Sequence, residues 1–253
     1  MAKTGTREWS EYSVNSHAGC RHGCRYCYAR YRQVCRFKRI AAADWPKMVA
    51  NRKVIDGNFH KKDGVIMYPT AHDITPEILD DCMTVLKKLL AAGNRVLVVS
   101  KPHWECVERM CMELDEYRES LEFRFSIGSL YNWRLKAWEP GAPRVEERIE
   151  CLELAHRQCF KTSVSAEPFL DDQVGRLYWA VAAHITEGFW LGKMNKINSR
   201  VDTKAMEAYP DGQTCLAMVG KTHTDEAIRA MYARMKDMPL VRWKDSIREV
   251  VGT

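Results

Sequence analysis

The chain has 253 residues, of which 46% are hydrophobic and 28% are charged, a globular composition that excludes a disordered chain. Its length allows one large domain or two small ones. No apolar run approaches the roughly 18 residues of a membrane-spanning helix, and the first 20 residues lack the apolar core of a signal peptide. We therefore expect a cytoplasmic protein with no membrane partner.

The net charge of +6 is distributed unevenly along the chain. Between Arg21 and Lys62 there are twelve Lys or Arg residues against two Asp residues, whereas the rest of the chain is slightly acidic. Such a segment can bind nucleic-acid phosphates, because their neutralisation releases counterions. A solvated surface or a complement to an anionic cofactor would have the same composition, so charge alone leaves these interpretations open.

Short apolar runs alternate with helical patterns, in the order typical of βα units. A first strand is predicted near residues 9–14. Five further strands are predicted over residues 64–68, 95–100, 121–127, 161–165 and 188–191. Helices are expected to begin near Thr75, Trp104, Pro143 and Val174. The first of them has a hydroxyl cap, a proline at its first position and Gly93 as its stop signal.

Strands that alternate with helices imply a parallel sheet with right-handed crossovers. We predict an α/β fold, a single partial (β/α)6 TIM-type barrel over residues 1–202, with its chemistry at the C-terminal ends of the strands. Within it, residues 16–28 form a cysteine-containing loop and residues 36–63 a basic insertion. Residues 203–253 are expected to be a C-terminal extension packed on the barrel, with a helix over residues 225–236.

Three of the ten cysteines are clustered, and they suggest a metal centre. Cys20, Cys24 and Cys27 have C-x3-C-x2-C spacing on a glycine-containing loop directly after the first predicted strand. Three thiolates on a four-iron cluster leave one iron open to a chelating ligand. Zinc sites usually have four ligands. The candidates for a fourth zinc ligand are His17, His22 and Cys35.

This spacing, with an aromatic residue before the third cysteine, resembles that of the radical SAM superfamily. The resemblance implies that Cys20, Cys24 and Cys27 hold a 4Fe–4S cluster whose open iron binds the amino and carboxylate groups of S-adenosylmethionine (SAM). It also implies that one electron, from an external reductant such as flavodoxin or ferredoxin, cleaves SAM to a 5′-deoxyadenosyl radical.

Residues 15–170 resemble more closely the spore photoproduct lyase branch of this superfamily, the DNA repair photolyase-like proteins. Five motifs in chain order carry the resemblance. They are Cys24-Arg-Tyr-Cys-Tyr28, His72-Asp73-Ile74, Ser100-Lys101-Pro-His103, Arg124-Phe-Ser-Ile127, and Trp138-Glu-Pro-Gly141 followed by Glu147-Arg-Ile149. Each motif from the second to the fourth lies at or just past the end of a predicted strand, where active-site residues of a barrel lie.

The resemblance implies roles for individual residues. Lys101 would pair with the SAM carboxylate and Asp73 would receive the amino group or the ribose. Tyr26 would pack near the adenosyl group, and Tyr28 would relay a hydrogen atom. The implied SAM-binding residues are Tyr26, His72, Asp73, Ser100, Lys101 and Ser126, and the implied catalytic residues are Tyr26 and Tyr28. Taken singly, Lys101 is also consistent with a solvated strand end, and Tyr28 with core packing.

The chain departs from the lyase at one position. A hydrogen-donating cysteine precedes the polar-Asp pair in spore photoproduct lyase, and here that position is Ala71. Cys35 or Cys215 could replace it only if the fold brought one of them to the site. Thymine-dimer-type repair by the usual route of the family is therefore not what this sequence predicts.

The predicted function is a radical SAM enzyme, of lyase or isomerase type, that abstracts hydrogen from a nucleic-acid base. A thymine derivative in DNA is the favoured substrate, for modification, rearrangement or repair, and the base must be extruded or single-stranded. Tyr31, Trp45 and Phe59 in the basic segment are candidates for stacking on bases. Three alternatives stay open. They are lyase-type lesion repair with a relocated hydrogen donor, radical SAM chemistry on a small molecule or peptide, and a non-enzymatic zinc or iron–sulfur nucleic-acid-binding module.

Overall fold

The strands of the computed structural model, which describes residues 5–253, are β1 (Tyr12–Ser13), β2 (His17–Ala18), β3 (Val49–Ala50), β4 (Val65–Tyr68), β5 (Arg95–Ser100), β6 (Leu121–Ser126), β7 (Lys161–Ala166), β8 (Gly188–Leu191) and β9 (Val241–Trp243). Seven of them form one parallel sheet in the order β1, β4, β5, β6, β7, β8 and β9. The remaining two, β2 and β3, pair antiparallel outside it. The predicted α/β fold with a parallel sheet is confirmed.

The α-helices are α1 (Tyr28–Arg30), α2 (Arg52–Ile55), α3 (Leu79–Ala91), α4 (Trp104–Glu113), α5 (Asn132–Trp138), α6 (Val145–Arg157), α7 (Val174–Val181), α8 (Ile197–Arg200), α9 (Thr203–Glu207), α10 (Gly212–Thr222), α11 (Asp225–Met235) and α12 (Asp245–Val251). Helix α1 continues directly into a π-helical segment, Tyr31–Arg36. Among the described residues, no helix is long and apolar enough to cross a membrane.

The predicted start of α3 is confirmed. Thr75 is extended at the cap position and Pro76 follows it in a 3-10 turn, Pro76–Ile78, that leads into α3. The helix stops before Gly93, which has φ +79°, a left-handed conformation that glycine adopts without steric cost. This helix returns the chain to the neighbouring parallel strand, β5.

The two faces of the sheet have different chemistry. Side chains alternate between the faces of a strand. On β6, Phe123 and Phe125 are fully buried in the main core, which also contains the apolar faces of α3, α4, α6 and α7. Arg124 and Ser126 therefore point to the other face, and Ser126 lines a cavity there. The core thus lies under the crossover helices, whereas polar groups line the concave side.

The C-terminal extension contributes a strand that the sequence analysis did not predict. β9 joins the sheet beside β8, so the sheet has seven strands where six were expected. In residues 5–253 no ladder joins β1 to β9, and the sheet is open at this point. The side chain of Lys244 bridges the opening, because its Nζ lies 2.8 Å from Glu8 Oε1 and donates to the Gly5 carbonyl at 2.7 Å. The domain division at residue 202 stays a prediction.

Candidate active site

A cavity of about 770 Å³ opens at the carboxyl ends of the parallel strands. Its lining contains nine of the ten residues that the sequence analysis selected. They are Cys20, Cys24, Tyr26, Cys27, Tyr28, His72, Asp73, Lys101 and Ser126. The tenth, Ser100, is not in the lining, and its hydroxyl accepts the Ile74 N–H at 3.1 Å. The fold therefore places Ser100 behind the loop that carries Asp73, where it can position that loop.

The cysteine loop is held by the basic insertion. Gly19 has φ +105°, and a Cβ at this position would lie 2.2 Å from the Trp45 carbonyl oxygen, so only glycine fits. The Cys20 N–H donates to the same carbonyl at 3.0 Å. Cys27 ends the loop by capping α1, because its sulfur accepts the Arg30 N–H at 3.4 Å. Trp45 is buried in this contact, so it is not available for stacking on a base.

All three cysteines are free, and burial raises the pKa of each thiol. At Cys20 the charge of Asp73 raises the pKa further, whereas Lys101 opposes the effect of burial at Cys24 and Cys27. Thiolates at these positions need a stronger positive charge beside them, which bound metal supplies. Three soft sulfur donors around one cavity therefore fit an iron–sulfur cluster.

The spacing of the donor atoms also bears on the choice of metal. In the described chain, the one group of three potential ligand atoms within 4.8 Å of one another is Cys20, His22 and Asp73, so the three cysteine sulfurs are not all that close. Two sulfurs on a single zinc ion lie at most about 4.6 Å apart, twice the Zn–S distance. The three cysteines therefore do not form a compact single-ion site by themselves, whereas Cys20, His22 and Asp73 lie close enough together to hold one metal ion.

Of the three candidates for a fourth zinc ligand, His17 and Cys35 do not line the cavity. His17 Nε2 lies 3.4 Å from Asp81 Oδ2, and Cys35 is exposed outside the cavity lining. His22 does reach the site. Its Nδ1 lies 2.8 Å from Asp73 Oδ2 and its Nε2 lies 2.9 Å from Nε2 of His103. His22 was not among the residues predicted to bind SAM. Its position between two cysteines of the cluster loop is the sequence feature that could have identified it as part of the site.

Asp73 and Lys101 form a buried pair on the cavity wall. Lys101 Nζ lies 3.8 Å from Asp73 Oδ2, and the Lys101 N–H donates to Asp73 Oδ1 at 2.9 Å. Burial opposes the charge on Asp73, but Lys101 and His22 hold the pKa of its carboxyl well below the ordinary value. Burial likewise opposes the charge on Lys101, and Asp73 with other neighbours raises its pKa. A charged pair of this kind complements a zwitterionic amino-acid group, which offers a carboxylate and an ammonium.

A second buried pair, Glu139 and Arg148, lies behind Tyr26. Both residues belong to the motifs that carry the family resemblance, but no role was predicted for either. The Tyr26 hydroxyl donates to Glu139, whose Oε2 lies 2.7 Å from NH1 of Arg148. Arg148 is fully buried and also donates to the Ser126 and Pro143 carbonyl groups. Burial would raise the pKa of Glu139, but Arg148 and Lys101 keep it below its ordinary value. Tyr26 is therefore held in one orientation by a charged acceptor.

The two remaining sequence candidates on this wall are also fixed by backbone groups. Tyr28 donates from its hydroxyl to the Thr70 carbonyl, and burial raises its pKa to about 12, so it stays protonated. Burial lowers the pKa of His72 to about 4, and its Nε2 accepts the His17 N–H. Both side chains are therefore neutral at pH 7, so neither competes with Lys101 or Asp73 for a charged ligand.

Ala71 lines the cavity at the position where the lyase has its cysteine. Neither suggested replacement is there. Cys35 is exposed on the π-helical segment, and Cys215 is buried on α10 outside the cavity lining. Within residues 5–253, the cysteines that line the cavity are the three of the cluster loop. A relocated thiol donor therefore has no support in this structure.

Glu167 also lines the cavity, where its charge adds to burial in raising the pKa of Tyr28. It directly follows β7, and its Oε2 lies 3.5 Å from Nζ of Lys244. Burial raises the pKa of Glu167, although Lys244 partly offsets this effect. Lys193, Lys196 and Arg200, which were not predicted from the sequence, line the same cavity. They lie on and beside α8, far from the cysteine motif in sequence, and only folding brings them to the cavity.

Comparisons with known proteins agree on the architecture. No protein-family model matches the chain. It is 22% identical over 170 residues to an uncharacterized protein of Methanocaldococcus jannaschii and 24% identical over 168 residues to one of Acidianus two-tailed virus. These matches cover 65% and 62% of this chain, but 62% and 55% of the relatives, less than two thirds of either.

Two solved structures are similar over 92% of this chain. One is a spore photoproduct lyase variant with dinucleoside spore photoproduct (TM-score 0.56, 14% identity, 76% of that chain). The other is SuiB of Streptococcus suis bound to S-adenosylmethionine (TM-score 0.52, 10% identity, 46% of that chain). At such identities the likeness concerns the fold. The chain therefore has an α/β fold similar to that of radical SAM enzymes, with its buried cysteine loop at the carboxyl edge of the sheet.

Proposed function

We propose that this chain is a cytoplasmic radical SAM enzyme that modifies, rearranges or repairs a nucleic-acid base. The observation that carries the proposal is the convergence of three buried thiols and the Asp73–Lys101 pair on one cavity at the carboxyl edge of a parallel sheet. Cys20, Cys24 and Cys27 would hold the 4Fe–4S cluster. The similarity of the fold to SAM-bound SuiB supports SAM as the second cofactor.

When bound and reduced, the cofactors supply a 5′-deoxyadenosyl radical that takes a hydrogen atom from the substrate. Lys101 and Asp73 would bind the two charged groups of the amino-acid part of SAM, and Ser126 belongs to the same lining. Tyr26, which is fixed by its hydrogen bond to Glu139, would pack beside the adenosyl group. These contacts orient the reactive bond, which is the main contribution that a protein makes to cofactor chemistry.

The remaining residues exclude water and hold protons in place. Tyr28 keeps its proton because burial raises its pKa, and its hydroxyl lies on the cavity lining beside Ala71. It is our candidate for a hydrogen-atom relay in a chain whose cavity has no spare thiol among the described residues. Burial of Cys20 and Cys24 shields the cluster loop from solvent, which protects a reactive centre from side reactions.

The proposed substrate class is DNA, with a thymine derivative as the favoured base. Two observations support it. The similar spore photoproduct lyase structure contains dinucleoside spore photoproduct, and the cavity lining has several cations. The reaction would be of the lyase or isomerase type and would need an external one-electron reductant such as flavodoxin or ferredoxin.

The first experiment is anaerobic reconstitution with iron and sulfide. We expect about four irons per chain and 5′-deoxyadenosine from SAM after reduction with dithionite. Cys24→Ser should lose both, whereas Cys35→Ser, a change at an exposed cysteine, should keep both. Stoichiometric zinc with no SAM cleavage would refute the proposal and favour the zinc-binding module.

The second experiment tests the substrate class. The reconstituted enzyme is incubated with oligonucleotides deuterated at the thymine methyl group or at the ring, and 5′-deoxyadenosine is analysed by mass spectrometry. Deuterium in 5′-deoxyadenosine is the expected result. SAM cleavage without deuterium transfer from any DNA or RNA would leave a radical SAM enzyme but would favour the small-molecule or peptide substrate.

A further inference from the structure

Most cations of the cavity lining form no ion pair. Six Lys or Arg side chains line the cavity, and besides Lys101 they are Arg7, Arg32, Lys193, Lys196 and Arg200, which we call the rim cations. In residues 5–253 none of the five has a carboxylate oxygen within 4.0 Å, whereas most charged side chains deeper in the cavity are paired. The Nε of Arg200 is, in addition, buried without a hydrogen-bond partner. Positive charge is therefore available at this rim to an anionic ligand.

The acidic residues of the same lining do not neutralise this charge. Asp73 is paired with Lys101, Glu167 with Lys244 and Asp245 with Arg248 at 3.8 Å. The fourth, Glu249, has no cation within 4.0 Å in the described chain. Five unpaired cations thus face one unpaired carboxylate. A cavity with such an excess of one charge attracts ligands of the opposite charge.

Next to this rim, three guanidinium groups surround one exposed aromatic ring. The guanidinium carbons of Arg32, Arg36 and Arg39 lie 5.7, 5.3 and 4.9 Å from the ring centroid of Phe37, which is 39% exposed. We call these four residues the Phe37 cluster. None of its arginines has a carboxylate within 4.0 Å in the described part of the chain. Cation–π contacts orient the guanidinium groups around the ring, and their charge is not compensated by the protein.

Arg32 belongs both to the Phe37 cluster and to the cavity lining. Arg32 therefore links the Phe37 cluster, which is exposed to solvent, to the lining of the candidate active site. The composition of the Phe37 cluster, cations around a partly exposed aromatic ring, is that of a single-stranded nucleic-acid binding groove. An acidic protein could bind the arginines but would not require the Phe37 ring. In a nucleic-acid duplex the bases are stacked on one another, so they cannot stack on Phe37.

We propose that the Phe37 cluster and the rim cations bind single-stranded nucleic acid on either side of one nucleotide that is held in the cavity. Phe37 stacks on a neighbouring base, and the rim cations together with Arg36 and Arg39 contact the flanking phosphates. The inference rests on the proposed function for the identity of the reacting nucleotide. It adds that the substrate is a strand rather than a free nucleotide.

The test is the binding of a fluorescent oligothymidylate of about twelve nucleotides to the reconstituted, unreduced protein, measured by anisotropy. We expect it to bind at least 10-fold more tightly than thymidine monophosphate or a duplex of equal length. Phe37→Ala should weaken oligonucleotide binding about 5- to 100-fold, and Phe37→Trp should preserve it. The matched control is Trp179→Ala, which removes an exposed aromatic side chain (68% exposed) of α7 outside the cavity lining.

A second set of variants keeps the proposal testable if Phe37→Ala lowers the stability of the protein. Arg36→Gln and Arg39→Gln change exposed side chains. Each should lower the salt dependence of binding, the slope of log K against log salt, by about 0.7. Lys236→Gln, an exposed cation on the far end of α11, should leave this slope unchanged.

Two outcomes would overturn the inference. The first is wild-type affinity for the oligonucleotide in Phe37→Ala and in both arginine variants. The second is competition by polyglutamate that is as strong as competition by unlabelled oligonucleotide, which would assign the surface to an acidic protein. SAM cleavage is measured on the same preparations. Normal cleavage without oligonucleotide binding rejects this inference alone, and oligonucleotide binding without iron or cleavage rejects the proposed function.

Discussion

Two sets of charged residues at the cavity, the paired wall beside the cysteine loop and the rim cations, differ in how their charge is compensated. On the wall that carries the cysteine loop, the charges are buried and paired, as in Asp73–Lys101 and Glu139–Arg148. Among the rim cations, Lys196 and Arg32 are exposed and have no carboxylate within 4.0 Å in the described chain. Charge that is removed from water must be paired, because its desolvation is otherwise costly, whereas exposed charge can stay free.

This difference separates two kinds of binding. The paired wall is preorganised, so it suits a cofactor that binds in one orientation and replaces one set of ionic contacts by another. The unpaired rim stays hydrated until an anion arrives, so it suits a substrate whose affinity depends on salt. Substitutions on the first wall should therefore affect stability or cofactor affinity, and substitutions on the rim should affect only substrate binding.

The largest effect should come from the fully buried pair. Arg148→Met leaves the Glu139 carboxylate buried and uncompensated, so we expect the free energy of unfolding to fall by about 3–5 kcal/mol. Urea denaturation of the protein measures this change. Arg229→Met, at an exposed position of α11, is the control and should change stability by less than about 0.5 kcal/mol. Equal stability of the two variants would show that the Glu139–Arg148 ion pair does not stabilise the folded protein.

The same pair should make stability depend on pH in the acid range. The pKa of Glu139 is lower in the folded protein than its ordinary value. Its contribution is therefore fully present above the unfolded pKa, near 4.3, and is lost as the pH falls through the folded pKa. Glu139→Gln should weaken this dependence below about pH 4. An unchanged acid denaturation profile in this variant would contradict the assigned ion pair.

A smaller effect is expected at Lys101. Lys101→Met removes the cation that we assign to the SAM carboxylate, so SAM affinity should fall about 10- to 100-fold, while the iron content stays that of the wild type. Equilibrium dialysis with labelled SAM and iron analysis measure the two quantities. Lys236→Met is the matched control at an exposed site. Wild-type SAM affinity in Lys101→Met would show that Lys101 does not bind the SAM carboxylate.

Ser100 should have a weaker, indirect influence. Ser100→Ala removes the acceptor for the Ile74 N–H, and we expect stability to fall by about 1–2 kcal/mol. SAM affinity should change less than in Lys101→Met, because Ser100 does not line the cavity. Thermal denaturation and SAM binding are measured together. An effect of Ser100→Ala on SAM affinity as large as that of Lys101→Met would show direct contact with the cofactor.

The smallest effect on stability is expected at the rim. Lys196→Gln should leave the free energy of unfolding within about 0.5 kcal/mol of the wild type and SAM affinity unchanged. It should reduce only the salt dependence of oligonucleotide binding, by a slope of about 0.7. Salt titrations of the anisotropy assay check this. Loss of SAM binding in Lys196→Gln would show that the paired wall and the rim cations do not have separate functions.

Most of the sheet could be predicted because a buried parallel strand needs an apolar run, and that requirement is local. Arg95–Ser100 and Gly188–Leu191 have the bounds that the sequence indicated. β9 was missed because Val241-Arg-Trp243 is three residues long with a charged centre, and pairing with β8 rather than composition makes it a strand. The nine cavity residues that were predicted lie in short motifs at strand ends and in the cysteine loop.

The sequence by itself determined the order of strands and helices and the close spacing of the three cysteines, because local periodicity and short motifs encode both. Only the tertiary structure decided that Trp45 is buried while Phe37 is exposed, since exposure depends on what the rest of the chain covers. It also decided that Arg148 lies behind Tyr26 and that Arg200 reaches the cavity. Such contacts join residues far apart in sequence, and their geometry depends on packing across the whole sheet rather than on any local pattern.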